Sequence, residues 1–184
     1  EKYKPFVTKI ISEKDNGIYH AINKGIKLAT GDIISLIHGN DMFANEKILT
    51  DVAGNFRDNN KLDILIADIA FKKNLEDNNY FRYYPSRFFL PWMLRFGYSP
   101  PHLSTFFSKK ALGKIGFYSE EFKIAGDFEY FVRCFLKNKL FFKTINKCYV
   151  IMSTGGMSGK NFKSYIMSSK EIKNTLKKNK IYSN

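Results

Sequence analysis

The sequence predicts a layered α/β fold, in which helices cover a sheet. Between residues 6 and 67, runs of strand length alternate with segments of helical period, and this alternation is typical of α/β sheets. The chain has 184 residues, of which 44% are hydrophobic and 16% are aromatic. That length and composition suit one domain with a packed core, and they argue against a disordered chain.

The first half of the chain supplies the elements of this alternation. Three short apolar runs have the length of strands: residues 6–12, 33–37 and 63–67. The second run, IISLI, is short and mostly apolar, as in a strand that is buried on both faces of a parallel sheet. Residues 17–30 have one apolar helical face, and Asn45 is predicted to cap a second helix. That second helix is predicted to turn inward Ile48, Leu49, Val52 and Phe56.

The second half of the chain is less regular. Residues 80–101 are rich in aromatic residues, prolines and arginines without a clean period, which predicts an irregular segment with one short helix over residues 87–96. Residues 104–108 are predicted to be a strand, and Asp127 to open a helix. Two short strands are expected after it, over residues 141–144 and 148–153. A final helix over residues 161–178 is predicted to bury Phe162, Tyr165, Ile166, Ile172 and Leu176.

The formal net charge of +13 bears on partners and location. The lysines carry no zinc-finger or RNA-recognition signature, so no nucleic acid is expected as a partner. A basic surface can also meet anionic lipid, although most single lysines are explained as solvated surface. Cys134 and Cys148 lack metal-ligand spacing, and no apolar run approaches the roughly 20 residues that span a bilayer. We expect a cytoplasmic protein. The basic charge also allows peripheral contact with anionic lipid at the inner face of the cell membrane.

Three polar clusters are candidates for chemistry. Asn40 and Asp41, in LIHGND, follow a predicted strand, where α/β sheets bind ligands. A carboxylate there can hold Mg or Mn against a nucleotide diphosphate, although such a pair is more often a plain turn. Asp127, in IAGDFEYFVR, can cap a helix or serve as a general base, and the two roles are compatible. Asp15, in SEKDNG, can form a turn or line a base-recognition pocket.

These clusters, in this order, resemble a known family. The run SEKDNGIYHAINKGIKLATGDIISLIHGNDMF resembles the central stretch of family 2 glycosyltransferases that build bacterial surface polysaccharides. PPHLSTFFSKKALGKIGFYSEEFKIAGDFEYFVR resembles the acceptor-side segment of that family, and STGGMSG a short loop after its last strands. The resemblance implies a GT-A fold with a Rossmann-like nucleotide-binding core, a nucleoside-diphosphate sugar donor and a Mg or Mn cofactor. It also implies inverting transfer of the sugar to a polysaccharide or lipid-linked acceptor.

The resemblance also assigns roles to single residues. Asp41 matches an aspartate that coordinates the metal, and Asn40 stands where the family usually has another aspartate. Asp127 matches the catalytic base. Asp15 lies in the segment that helps to form the nucleotide pocket, and His102 matches a histidine on the acceptor side.

The aromatic segment YFRYYPSRFFLPWMLRFGY has two interpretations. It can be a hydrophobic lid packed on the core, or Trp92 and Phe89 can touch a lipid-linked acceptor or the membrane surface. Gly155 and Gly156, in STGGMSG, can likewise form a tight turn or cradle a phosphate.

Two departures from the family pattern qualify these expectations. Asn40 removes one negative charge from the metal motif, for which His38 is a candidate compensating ligand. Family members also begin with a strand, a helix and a further strand, and nothing before Glu1 supplies them, so we expect an N-terminally truncated sheet that lacks its first strands. We interpret the chain as one domain fragment, with a donor and metal-binding part (residues 1–79) and an acceptor-side part (residues 80–184). The alternative function is a catalytically silent nucleotide-sugar-binding or scaffold module.

Overall fold

A mixed sheet with helices on both faces organises the chain. The computed structural model describes residues 7–73, 79–153 and 162–182. Within these residues, six strands form one sheet: β1 (Ile33–Ser35), β2 (Met42–Phe43), β3 (Ile64–Lys72), β4 (Arg82–Tyr84), β5 (Thr105–Ser108) and β6 (Phe142–Ser153). The α-helices are α1 (Ile18–Leu28), α2 (Ile48–Asp58), α3 (Lys109–Ile115), α4 (Gly126–Phe131) and α5 (Phe162–Lys178). The α/β class predicted from the sequence is confirmed.

The strand order is β1-β5-β3-β6-β2, and β4 also pairs with β3. Strands β3 and β6 run parallel, whereas the β1–β5, β2–β6, β3–β4 and β3–β5 pairs are antiparallel. The prediction that residues 33–37 form a strand buried inside a parallel sheet was therefore wrong. Strand β1 covers three residues, stands at the end of the strand order beside β5, and is only half-buried.

Strand β3 is the centre of the core because its side chains alternate between two hydrophobic clusters. Ile64 and Ile66 pack in one cluster, with side chains of α1, α3 and α4. Leu65 and Ala67 point to the opposite face of the sheet and pack with α2 and β6. All four side chains are fully buried. The two-sided burial predicted for a strand of the first half thus belongs to β3.

Three predictions for the first half of the chain were wrong: the first strand, the cap by Asn45 and the burial of Leu49. Residues 7–12 form no strand, since no sheet edge among the described residues pairs with them, and Ile10 and Ile11 are exposed. Helix α2 has Lys47 rather than Asn45 at its N-cap, and the Asn45 side chain instead accepts a hydrogen bond from the Lys47 N–H at 2.9 Å. Of the predicted inward face of α2, Leu49 is the exception, at 59% exposed.

The aromatic segment contains more regular structure than the sequence indicated. It forms β4 and a 3₁₀ helix, Pro91–Phe96, in place of one helix over residues 87–96. The last strands also differ from the prediction, because residues 142–153 form one continuous strand. An irregularity in its pairing with β3, between Ile145 and Cys148, coincides with the predicted gap.

Helix α5 is buried only in its second half. Ile172 and Leu176 pack on the core as predicted. Phe162 and Tyr165, predicted to be buried, are 77% and 69% exposed, because the first turns of α5 extend beyond the core. No helix in the described ranges is both long and apolar enough to cross a membrane. The predicted glycine–serine loop with Gly155 and Gly156 lies outside the described residues.

Candidate active site

A cleft of about 830 Å³ opens where the loop after β1 faces the start of α4. The ends of β3 and β6, strand β4, helix α1 and the segment before β5 complete its walls. It gathers the polar residues that the sequence singled out in three separate segments: His38, Asn40, Asp41, His102 and Asp127. The volume suits a ligand of several hundred cubic ångströms, the usual size of small-molecule sites.

Asp41 joins two walls of the cleft. Its Oδ1 accepts a hydrogen bond from the backbone N–H of Ser153, at the end of β6, at 3.3 Å. Its own N–H donates to the carbonyl oxygen of His38 at 3.1 Å. Partial burial raises the pKa of Asp41, and the Ser153 N–H and the charge of His38 oppose that effect.

Asn40 has the backbone conformation that its residue type tolerates. Its φ of 72° lies in the left-handed region, where asparagine and aspartate are enriched over other non-glycine residues. The backbone therefore does not exclude the aspartate that the family pattern has here. What the amide lacks is the negative charge.

His38 adds a second possible metal ligand beside Asp41. Its Nε2 is buried and has no hydrogen-bond partner, which is costly unless a ligand satisfies it. Carboxylates and imidazole nitrogens both bind divalent metal ions. The described residues contain no group of three or more His, Cys, Asp or Glu that could hold a metal. A divalent ion in this cleft fits if it takes most of its ligands from a diphosphate and water, as Mg²⁺ commonly does with nucleotides.

Asp127, near the start of α4, lines the cleft. Helix α4 has Ala125 at its N-cap, so Asp127 is the second residue of the helix, and the sequence prediction of an N-cap was two positions off. Its Oδ1 accepts a hydrogen bond from the N–H of Phe128 at 2.8 Å. Within the described part of the chain, no group donates a hydrogen bond to Oδ2.

His102 lies in a short 3₁₀ turn, His102–Ser104, before β5. Its Nε2 is 2.8 Å from the hydroxyl of Tyr118, and the rings of Tyr118 and Phe131 contact it edge-on. Burial lowers the pKa of His102, while the nearby charge of Asp127 acts in the opposite direction. The ring is therefore a neutral hydrogen-bonding group at neutral pH.

The chain is similar to known proteins both in sequence and in fold. No protein-family model matches the chain. It is 26% identical over 123 residues to the PGL/p-HBAD biosynthesis glycosyltransferases of Mycobacterium bovis (strain BCG / Pasteur 1173P2) and Mycobacterium tuberculosis (strain ATCC 25618 / H37Rv). These matches cover 67% of this chain and 45% of each relative.

Solved structures decide the fold. The chain superposes on S. aureus TarS 1–349 in complex with UDP with a TM-score of 0.63 and 16% identity, over 95% of this chain and 50% of that one. For TarS 1–349 in complex with UDP-GlcNAc the TM-score is 0.65 at 17% identity, over 95% and 52%. The chain has the GT-A-like fold of these TarS structures. It spans about half the length of the proteins that it matches.

Two predicted site residues lie away from the cleft of this glycosyltransferase fold. Asp15 is on the surface before α1, where its carboxylate pairs with Lys24 at 2.7 Å and His20 at 3.1 Å. The hydrogen bond from Lys24 is the largest influence on the pKa of Asp15 and lowers it. Trp92 is 54% exposed in the 3₁₀ helix, against the edge of Phe96. A role for either residue in ligand binding stays a prediction.

The cleft also contains residues that sequence reasoning missed. Arg82 of β4 lines it, with its guanidinium 5.7 Å from the ring of Phe71 and 5.9 Å from that of Tyr84. Tyr19 of α1 lines it beside Asp127. Arg82 could have been suspected from the arginines of the aromatic segment. Tyr19 had no signal beyond its position in a helix that precedes the LIHGND strand.

Proposed function

We propose that the protein containing this chain transfers a sugar from a nucleoside-diphosphate sugar to a polysaccharide or lipid-linked acceptor, with inversion at the anomeric carbon. The observation that carries the proposal is that Asp41 and Asp127 line one cleft, although the sequence separates them widely. The glycosyltransferase fold supports the reaction class. The TarS complexes with UDP and with UDP-GlcNAc support a nucleotide sugar as the donor.

In this proposal, Asp127 is the general base. The acceptor hydroxyl transfers its proton to Oδ2 of Asp127 as the acceptor oxygen forms its bond to the anomeric carbon. The bond between that carbon and the diphosphate oxygen breaks, and the diphosphate leaves with the electron pair. Because the attack comes from the side opposite the leaving group, the configuration inverts.

Two features of the Asp127 side chain support this role. Its Oδ1 is held by the N–H of Phe128, so the carboxylate has a defined orientation. Its Oδ2 accepts no hydrogen bond from the described residues, and the residue lines the cleft, so this oxygen can accept the proton of a substrate hydroxyl. A base that is positioned before the substrate arrives avoids much of the entropic cost of the reaction.

The other cleft residues have supporting roles in the proposal. Asp41, with His38 beside it, would hold a Mg or Mn ion, whose charge stabilises the departing diphosphate. His102 and Tyr118, joined at 2.8 Å, offer a neutral hydrogen-bonding pair on the acceptor side. Arg82 adds a positive charge that suits a phosphate group.

The aromatic segment supports a second part of the proposal, peripheral contact with an anionic membrane that carries the acceptor. Its second half exposes the apolar side chains of Phe88, Leu90, Trp92 and Phe96. Arg87 and Arg95 are exposed between them, and the chain carries a net charge of +13. Aromatic and basic side chains together favour the boundary of an anionic lipid layer. Phe89, in contrast, is buried in the core, as expected if this part of the segment packs on the core as a lid.

Turnover by the intact protein tests the enzymatic proposal. A panel of nucleotide sugars is supplied with Mg or Mn and candidate acceptors, and Asp127→Asn and Asp41→Ala are compared with wild type. We expect each substitution to lower kcat by about 100-fold or more, the usual contribution of a general base or a bound metal. The exposed Asp58, outside the cleft, gives the control Asp58→Asn. A folded protein that binds donors without turnover would favour the silent binding module.

A further inference from the structure

The turn that leads into Asp127 is held by two side chains from distant helices. Glu171 of α5 accepts hydrogen bonds from three consecutive backbone N–H groups: Lys123 at 2.9 Å, Ile124 at 3.1 Å and Ala125 at 2.7 Å. The hydroxyl of Tyr19 of α1 accepts the next two. They come from Gly126 at 2.7 Å and Asp127 at 3.3 Å.

The Tyr19 hydroxyl also acts as a donor to the same turn. It donates to the carbonyl oxygen of Ile124 at 2.6 Å. This one hydroxyl therefore binds the backbone on both sides of Ala125. Burial raises the pKa of Tyr19, which keeps this proton in place. The ring is 5% exposed and stacks on Tyr118, the partner of His102.

Gly126 fits closely against the face of Tyr19. A Cβ atom at this position would lie 2.6 Å from Cζ of the Tyr19 ring, closer than real Cβ contacts. Because the ring is buried among other aromatic side chains, it has little room to move. The glycine is therefore what allows the hydroxyl to reach both N–H groups.

These contacts replace the usual cap of a helix. The first N–H groups of an α-helix need acceptors, and a side chain at the N-cap commonly supplies one. Helix α4 has Ala125 at that position and no side-chain cap of its own. The Tyr19 hydroxyl accepts from the first two N–H groups of α4, those of Gly126 and Asp127. The Glu171 carboxylate accepts from the three N–H groups just before the helix, and its negative charge at this end of α4 is favourable.

We propose that Glu171 and Tyr19 form a clamp that positions Asp127, so that both are positioning residues for the reaction. The inference rests on the proposed function of Asp127 as the base. Lys123, Ile124 and Asp127 all line the cleft, so the clamp sets the position of one whole wall. A displacement of about 1 Å at a reacting group can cost two orders of magnitude in rate. Helix α5 places no described residue in the cleft, but through Glu171 it would influence the rate of the reaction.

Three variants of the intact protein test the clamp. Glu171→Gln keeps the shape of the side chain but sets an amide NH₂ against N–H donors, and Tyr19→Phe keeps the ring but removes the hydroxyl. The matched control is Glu121→Gln. It removes an exposed ion pair, at 3.4 Å, between Glu121 and Lys178, the last residue of α5. Each variant is measured for kcat, for donor KM and for backbone hydrogen exchange at residues 123–127.

We expect Glu171→Gln and Tyr19→Phe to lower kcat by at least tenfold, with donor KM changed less than twofold and exchange at residues 123–127 at least tenfold faster. The control should match wild type in all three measurements. Unchanged exchange in both clamp variants would overturn the clamp. Faster exchange with unchanged kcat would overturn its role in positioning the base. An inactive wild-type protein would overturn the proposed function, and hydrogen exchange would still decide the clamp.

Discussion

The carboxylate of Asp68 accepts two hydrogen bonds from Ser86, one from its backbone N–H at 2.7 Å and one from its hydroxyl at 2.8 Å. A third comes from the hydroxyl of Tyr83 at 2.7 Å. Asp68 and Ser86 are completely buried. The carboxylate therefore fastens the segment around β4 to the middle of β3, and this segment carries Arg82 and Tyr84 into the cleft.

Asp68→Ala should be strongly destabilising. The substitution leaves the buried backbone N–H of Ser86 and the part-buried hydroxyl of Tyr83 without their acceptor, and it opens space in the core, which together cost roughly 3 kcal/mol of the free energy of unfolding. Urea denaturation of the variant and wild type measures the loss. Asp58→Ala, at an exposed aspartate, should change that free energy by less than about 0.5 kcal/mol. Equal stability of Asp68→Ala and wild type would contradict the assigned role.

Asn40→Asp should tighten the binding of Mn²⁺ in the presence of UDP. The backbone at this position accepts aspartate, and the substitution adds a negative charge near Asp41. We expect the Kd to fall about tenfold, which corresponds to about 1.4 kcal/mol, measured by titration calorimetry or Mn²⁺ paramagnetic resonance. Asn45→Asp adds the same charge outside the cleft and should leave the Kd unchanged. If both variants bind alike, position 40 does not face the ion.

His102 should make the folded state less stable in mild acid. Its pKa is lowered in the folded state, whereas an unfolded histidine titrates near pH 6.5. The unfolded chain then binds more protons, so the contribution of His102 to stability is complete above about pH 6.5 and is lost as the pH falls below it. The free energy of unfolding of wild type should drop more between pH 8 and pH 5 than that of His102→Gln. Parallel pH profiles would rule this out.

Trp92→Ala combined with Phe96→Ala should weaken binding to vesicles that contain anionic phospholipid. Both side chains are exposed and contact each other, so their removal takes apolar area from the surface without opening the core. Vesicle flotation should show at least a fivefold loss of bound protein, and a smaller effect of Leu49→Ala, at an exposed apolar residue of α2. If wild-type protein does not float with anionic vesicles, the membrane contact is wrong.

The sequence predicted what local periodicity determines. The apolar stripe of residues 17–30 and the buried run at residues 63–67 produced α1 and β3 because helical and extended segments each have their own repeat. The meeting of Asp41 and Asp127 in one cleft followed from the family resemblance and from the position of Asp41 after a strand.

Contacts between distant segments escaped the sequence. Strand β1 pairs with β5, which is far away in the chain, and an apolar run of three residues does not specify its neighbour or the direction of pairing. Glu171 stands among the lysines of α5 and looks like an ordinary surface residue, because its partners are backbone groups. The exposure of Phe162 was likewise invisible, since periodicity marks an apolar face but not what covers it.

The parallel pairing of β3 with β6 has a consequence for the order in which the chain folds during synthesis. Ile64 pairs with Phe142 and Lys72 with Ser153, so the sheet cannot close before the ribosome has released most of the chain. Pairing over such a separation is slow, and until it occurs β3 offers an apolar edge that other chains can join. A nascent chain that ends before β6 is therefore expected to expose this edge and to be prone to aggregation until β6 is synthesised.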